Sequence, residues 1–453
     1  MLFSSLSFLL YFFPAVILLH YFLPQRLQNA FLLAASLLFY AWGDARQVPL
    51  FAVLLMMNWG AACLMARAGE GKARRALLIG GLVIDFGALV FYKYTGFLLG
   101  IVGLYSSYAA SLTLPLGISF FIFQAAGYLI DVYRGQTLPE KDPVSFGAFL
   151  FLFPQLIAGP IVRYSDMSKA LHEKRRPSAA ALESGMALFA AGLAAKVLLA
   201  NPLGEAYDAL RAVEGDMLCA WGSLAAYTLQ IYFDFMGYSV MAVGLGRMLG
   251  FGFPRNFNHP YAAVSVTDFW RRWHVTLSGW FRDYVYIPLG GSRKGRGRTA
   301  LNLLAVWSLT GLWHGADWNF LLWGMWYFLL LSAEKFLLAD RVKLPQLLRR
   351  VLTLLGVMLG WALFVSDGLA GFADYMAALF SFGVTAQSLF WLQEFAGIIL
   401  LGAVFCVPRV VEGLKALCRR YALLRYAAVI GTLILCLASL AKSSYNPFLY
   451  FRF

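Results

Sequence analysis

The sequence predicts an all-α, polytopic membrane protein, and three observations carry that prediction. Of 453 residues, 61% are hydrophobic and only 13% charged, against roughly 25% charged in a typical soluble domain. Apolar stretches approaching the ~20 residues of a spanning helix recur along the whole chain. The charges that remain collect in short loops between those stretches. Aromatic residues make up 17%, which suits interfacial belts and packing inside a large bundle. No polar stretch is long enough to fold alone, so residues 1–453 read as a single integral-membrane domain.

In order, the firmer spans are 3–23, 30–42 (short), 48–66, 77–100, 180–200, 219–247, 300–315, 318–338, 349–366, 388–408 and 424–441. Segments 101–114, 115–133 and 146–162 are apolar but interrupted by Pro115, Gly117, Pro154, Gly159 and Pro160. Broken backbone at membrane depth is tolerated only where protein or a water-filled cavity surrounds it, so some of these are expected to be re-entrant. The expected total is about 10 to 13 membrane segments. The first apolar run, to about Leu23, has no positive n-region and no small-residue cleavage site. It is expected to be an uncleaved first span. Segment 262–287 mixes aromatics with Asp268, Arg271, Arg272, Arg282 and Asp283, and does not span. Phe269, Trp273, Trp280 and Tyr284 fall near one helical face, so a helix lying at the cytoplasmic interface, or dipping into a funnel, is expected.

The net charge is +14. Basic residues concentrate in loops 67–75, 163–176, 282–298 and 409–425, which are expected to be cytoplasmic and to face anionic lipid headgroups. Acid-rich loops carrying Glu205, Asp208, Glu214 and Asp216, and Asp367 and Asp374, are expected outside. This pattern argues against nucleic-acid binding. Cys63, Cys219, Cys406, Cys418 and Cys436 form no C-x-x-C pair and read as small apolar residues. Five scattered histidines give no metal-ligand spacing, so no metal is expected.

His314 is the sharpest candidate. It lies in Leu312-Trp313-His314-Gly315-Ala316, within a stretch apolar enough for a membrane. Ionisable groups there are functional candidates by default, and imidazole is the side chain best suited to act as a base near neutral pH. The other reading is a structural histidine bonded to backbone or a hydroxyl. His274 lies in a wetter segment, flanked by Arg271 and Arg272. Those guanidiniums suit the phosphates of a cofactor or, equally, of lipid. The glycine-rich basic tract Ile287–Gly295 can cradle phosphate or face headgroups. Asp234, a carboxylate at membrane depth, either orients a histidine or holds a structural hydrogen bond. Asp85 and Lys93 share one span, with Lys93 expected to snorkel to an interface. His20, His172 and His259 carry no such signal.

Several tracts together resemble one family. They are Leu37–Gly43, Leu116–Phe121, Tyr128–Gly135, Phe153–Ile161, Asn256–Tyr261, Asp268–His274 leading to Arg282–Gly291, Leu312–Ala316 and Tyr445–Phe453. On these the sequence resembles the membrane-bound O-acyltransferases, and within them the bacterial alginate O-acetyltransferase-like branch. The resemblance implies a ring of helices around a thin central channel, with His314 as the active-site histidine. A second polar position of the family, His or Asn, falls on His274. The resemblance also implies acetyl-CoA as donor substrate, with no bound cofactor. Its candidate contacts are Arg271, Arg272, Trp273, Arg282, Trp313 and Asn319. The implied partners are an extracytoplasmic SGNH-type or related acetyltransferase and a polysaccharide synthesis and export complex. The implied location is the bacterial cytoplasmic (inner) membrane, multi-pass, in contact with lipid. Met236 and Val240 depart from the pattern, where Ser and Asp are expected. A transporter or flippase, an anchoring scaffold, and a D-alanyl exporter for teichoic acid are the rival readings.

Overall fold

The computed structural model describes residues 2–173, 175–338, 344–442 and 448–449. Among them the regular structure is helical throughout. The chain divides into two compact units.

The first unit comprises residues 1–189 and 238–255. It contains the apolar helices Phe8–Phe22, Gln25–Asp44, Val48–Arg67, Lys72–Ile101 and Ile118–Tyr133. Its interior is built on phenylalanine. Phe39 meets Phe3 at 5.7 Å and Phe153 at 5.4 Å, and Phe121 meets Phe51 at 4.8 Å and Phe151 at 5.6 Å, centroid to centroid. Rings at these separations attract one another edge-on as well as burying large area. One buried polar pair lies inside: Asn58 Nδ2 donates to Asp85 Oδ1 at 2.8 Å, and both residues are buried. That contact accounts for an otherwise costly carboxylate within a span.

The second unit comprises residues 190–237 and 256–453. Helices Trp318–Ala333 and Gln346–Val365 carry much of its packed interior. The last helices, Ala386–Phe405 and Ala422–Lys442, bury few side chains and leave Leu400 and Ile434 largely exposed. Such faces are unfavourable in water, but lipid tails solvate them. Between the two lies Pro408–Arg420, with no buried residue and with Arg409, Lys415, Arg419 and Arg420 on it. An amphipathic helix tethered to two spans suits the membrane surface.

Seven helices among the described residues are long and apolar enough to cross a membrane, and Phe8–Phe22 and Ile118–Tyr133 are shorter apolar helices. One of the seven, Gln25–Arg67, is divided by a break at Asp44 and a 3₁₀ turn at Ala45–Gln47. Expected spans 219–247 and 300–315 are helical, as Met217–Met248 and Gly295–His314, but are not among the seven. The first carries Thr228, Gln230 and Asp234, and the second Asn302, Thr310 and His314, so each is less apolar than its neighbours. Of the interrupted segments, 101–114 holds only the short helix Ser107–Ser111, 115–133 runs as one helix, Ile118–Tyr133, after Gly117, and 146–162 stops at Leu152 and restarts as Phe153–Leu156.

Candidate active site

The segment expected as one interfacial helix, 262–287, is instead three short pieces. They are Val266–Trp270, Val275–Phe281 and a π-helical turn at Arg282–Tyr286. The break falls at His274, whose φ of 44° and ψ of 53° are left-handed. A non-glycine residue there costs about 1–2 kcal/mol, and Asn and His tolerate it better than most. Such strain persists only where surrounding bonds over-determine it, and here they do. Asn258 N–H donates to Arg272 O at 2.9 Å and Val275 N–H donates to Asn256 O at 3.0 Å, one on each side of the residue. Upstream, Glu334 accepts from the N–H groups of Val266 and Thr267, at 2.7 and 3.3 Å, and so caps the first short helix. Phe269, Trp273, Trp280 and Tyr284 are all buried, although not as one stripe.

Gly295–His314 ends on His314, Gly315 turns the chain in extended conformation, and Asp317 caps the returning helix Trp318–Ala333. The two helices pack backbone to backbone. A Cβ on Gly311 would strike the carbonyl oxygen of Phe320, and one on Gly324 that of Trp307. This approach carries the buried His314 ring against aromatic walls. Its centroid lies 4.9 Å from Trp313, 4.9 Å from Trp323 and 5.4 Å from Phe364. Trp313 also lies 5.8 Å from the His274 ring, so one indole adjoins both imidazoles. His274 also meets Phe235 at 4.7 Å. Burial lowers His274 from 6.5 to about 3, which keeps it neutral near pH 7.

Two side chains with proton-accepting nitrogen and a largely aromatic, water-poor surround can handle a proton at a reacting hydroxyl or thioester. The model of the membrane-bound O-acyltransferase family matches residues 140–372. A probable alginate O-acetylase of Azotobacter vinelandii is 41% identical over 84% of this chain and 79% of its own. The chain belongs to the membrane-bound O-acyltransferase family. A probable alginate O-acetylase of Pseudomonas putida is 36% identical over the full length of both chains, and a peptidoglycan O-acetyltransferase of Helicobacter pylori 33% identical over 82% of this chain and 78% of its own. The protein is thus a multi-pass membrane O-acyltransferase, and both His274 and His314 fall within the interval that the family model matches.

Within this O-acyltransferase the remaining candidates occupy different settings. Trp313 adjoins both histidines. Asn319 is buried in the helix after the turn and donates to Ser366 O at 2.9 Å. Trp273 packs among Phe257, Phe269 and Trp361. Arg271 is exposed, Arg272 pairs with Asp268 at 2.8 Å, and the largely exposed Arg282 pairs with Asp283 at 2.7 Å.

Sequence reasoning missed Lys196. Its Nζ lies 2.6 Å from Asp234 Oδ1, and both side chains are buried. Lys196 sits in a π-helical turn, Ala195–Ala200, a device frequent at functional positions. Asp234 Oδ2 also accepts from Leu449 N–H at 2.8 Å, and Phe448 meets Phe235, the residue beside Asp234, at 5.9 Å. Asp234 therefore has the structural bonds its sequence setting allowed. The signal for Lys196 was present: a lone cation inside an apolar run is as costly as a lone carboxylate. Asn256, which meets the His274 ring, was likewise not singled out.

Proposed function

We propose that this protein takes acetyl from cytoplasmic acetyl-CoA and passes it across the bacterial inner membrane for O-acetylation of an extracytoplasmic polysaccharide. The observation that carries the reading is the buried His314 ring at a helix end, walled by Trp313, Trp323 and Phe364. The relatives' names support acetyl as the group transferred and a polysaccharide as the acceptor. Acetyl-CoA is a substrate, with Arg271, Arg272, Arg282 and the exposed basic segment 293–298 as phosphate contacts and Trp273, Trp313 and Asn319 along its path. An extracytoplasmic SGNH-type acetyltransferase and the polysaccharide export machinery are the partners. The acceptor O–H bond breaks as His314 takes its proton. The oxygen then bonds to the thioester carbon, the C–S bond breaks, and coenzyme A leaves as thiolate and receives the proton. His274 assists at the same centre.

Loss of a general base typically costs about 10²–10⁴-fold in rate. His314→Ala is therefore expected to abolish polysaccharide acetylation in cells while membrane levels of the protein stay normal. Wild-type acetylation by that variant would refute the reading.

A further inference from the structure

We propose that Asn256 is a positioning residue that locks His274 in the tautomer with hydrogen on Nδ1 and the lone pair on Nε2, so that His274 meets a hydrogen-bond donor of the substrate and not the thioester carbonyl oxygen. The proposal rests on reading this site as the centre of acyl transfer.

The argument begins with a hydrogen of fixed ownership. Thr276 backbone N lies 3.2 Å from Asn256 Oδ1. A main-chain N–H only donates, so the facing amide atom is the oxygen and the Asn256 side chain has one orientation. Thr276 Oγ1 donates to the same oxygen at 3.0 Å. His274 Nδ1 lies 3.1 Å from it. An amide oxygen only accepts, so Nδ1 carries the hydrogen. A neutral imidazole has one N–H, and Nε2 therefore carries the lone pair.

Nothing in this chain of ownership is free to rotate. Asn256 and His274 are 2% and 1% exposed. The bonds Asn258 N–H to Arg272 O and Val275 N–H to Asn256 O clamp the strained residue from both sides. The left-handed backbone thus directs the ring at Asn256, and the Thr276 amide reports through Asn256 which nitrogen holds the proton. The ring keeps the same tautomer while substrate binds. At Nε2 it accepts, as from an acceptor hydroxyl or an amide N–H of the pantetheine arm. A carbonyl oxygen, itself an acceptor, is repelled there.

The test uses full-length protein in nanodiscs with ¹⁵N-labelled histidine, and His274→Asn identifies the His274 signals in two-bond ¹H–¹⁵N spectra. Wild type is expected to show the Nδ1–H tautomer alone. Asn256→Asp, which still accepts from Nδ1–H and Thr276, is expected to keep it. Asn256→Leu is expected to lose the single tautomer and to lower kcat for acetyl-CoA turnover by about tenfold, no more than loss of His274 itself and short of the loss of a general base, with KM unchanged. An Nε2–H tautomer in wild type overturns the lock. So does an Asn256→Leu protein with the wild-type spectrum and kcat. Should Asn256→Leu not fold, the wild-type and Asn256→Asp spectra still decide. His314→Ala separates the two ideas: full activity in it removes the acyl-transfer reading, while the spectrum judges the lock without any assay.

Discussion

His274 and His314 are both buried, at 1% and 5% exposure, and both meet aromatic rings, but their backbones and clamps differ. His274 sits at a backbone break, clamped by main-chain bonds and by the Asn256 amide. His314 ends a regular helix and is held by indole and phenyl rings. Polar clamping fixes which nitrogen bears the hydrogen. Aromatic packing fixes where a ring sits. The first arrangement suits a group that orients substrate, and the second a group that takes a proton during the reaction.

The comparison can be strained from either side. The largest effect is expected on the His274 side. Lys196→Ala leaves Asp234 buried without its cation, and breaking such a pair costs about 3–5 kcal/mol. Asp234 adjoins Phe235, whose ring lies on His274. Denaturant unfolding in detergent should show the loss, and Lys196→Met with Asp234→Leu should recover most of it. Equal instability of that double variant would contradict the assignment.

On the other side, Trp323→Ala removes a wall of the His314 cage. Misplacing a reacting group by about 1 Å costs about 10²-fold, so kcat should fall by that order with little change in KM. A changed KM at constant kcat would mean that Trp323 binds substrate and does not hold His314.

His274→Asn is expected to fold normally, because Asn suits the left-handed backbone. Its kcat should fall about tenfold, short of the loss typical for a general base. Collapse to the His314→Ala level would make the two histidines equal in role.

The smallest effect is on pH dependence of stability. Folded His274 titrates near 3, whereas the unfolded ring titrates near 6.5. Below pH 6.5 the unfolded chain therefore binds the extra proton, so this residue lowers stability as pH falls from 6.5 towards 3 and has no effect above that window. Thermal unfolding at pH 7.5 and 5 should show a smaller acid-side drop for His274→Asn than for wild type.

The two sites also differ in how far the sequence revealed them. His314 was legible because an imidazole in an apolar run contradicts its surroundings. The span expected at 300–315 falls within the helix Gly295–His314, whose first residues, 295–298, read in the sequence as part of a basic loop. The His274 region was misread as one helix because Phe269, Trp273, Trp280 and Tyr284 keep helical spacing across the break. What breaks the helix there is remote in sequence: the Asn256 main chain and amide clamp the residue at the break. No local pattern records such bonds. The carboxylate of Asp234 stands out in the sequence and the cation of Lys196 does not, although the two pair at 2.6 Å.

The most direct test of the central claim is a sided transfer assay in proteoliposomes. Labelled acetyl-CoA is supplied on the cytoplasmic face only, and the polysaccharide acceptor with its acetyltransferase partner is enclosed on the other. Label should reach the enclosed acceptor with wild-type protein and stay at background with His314→Ala. Equal label transfer by both proteins, or none by wild type, would contradict acyl transfer across the membrane at His314.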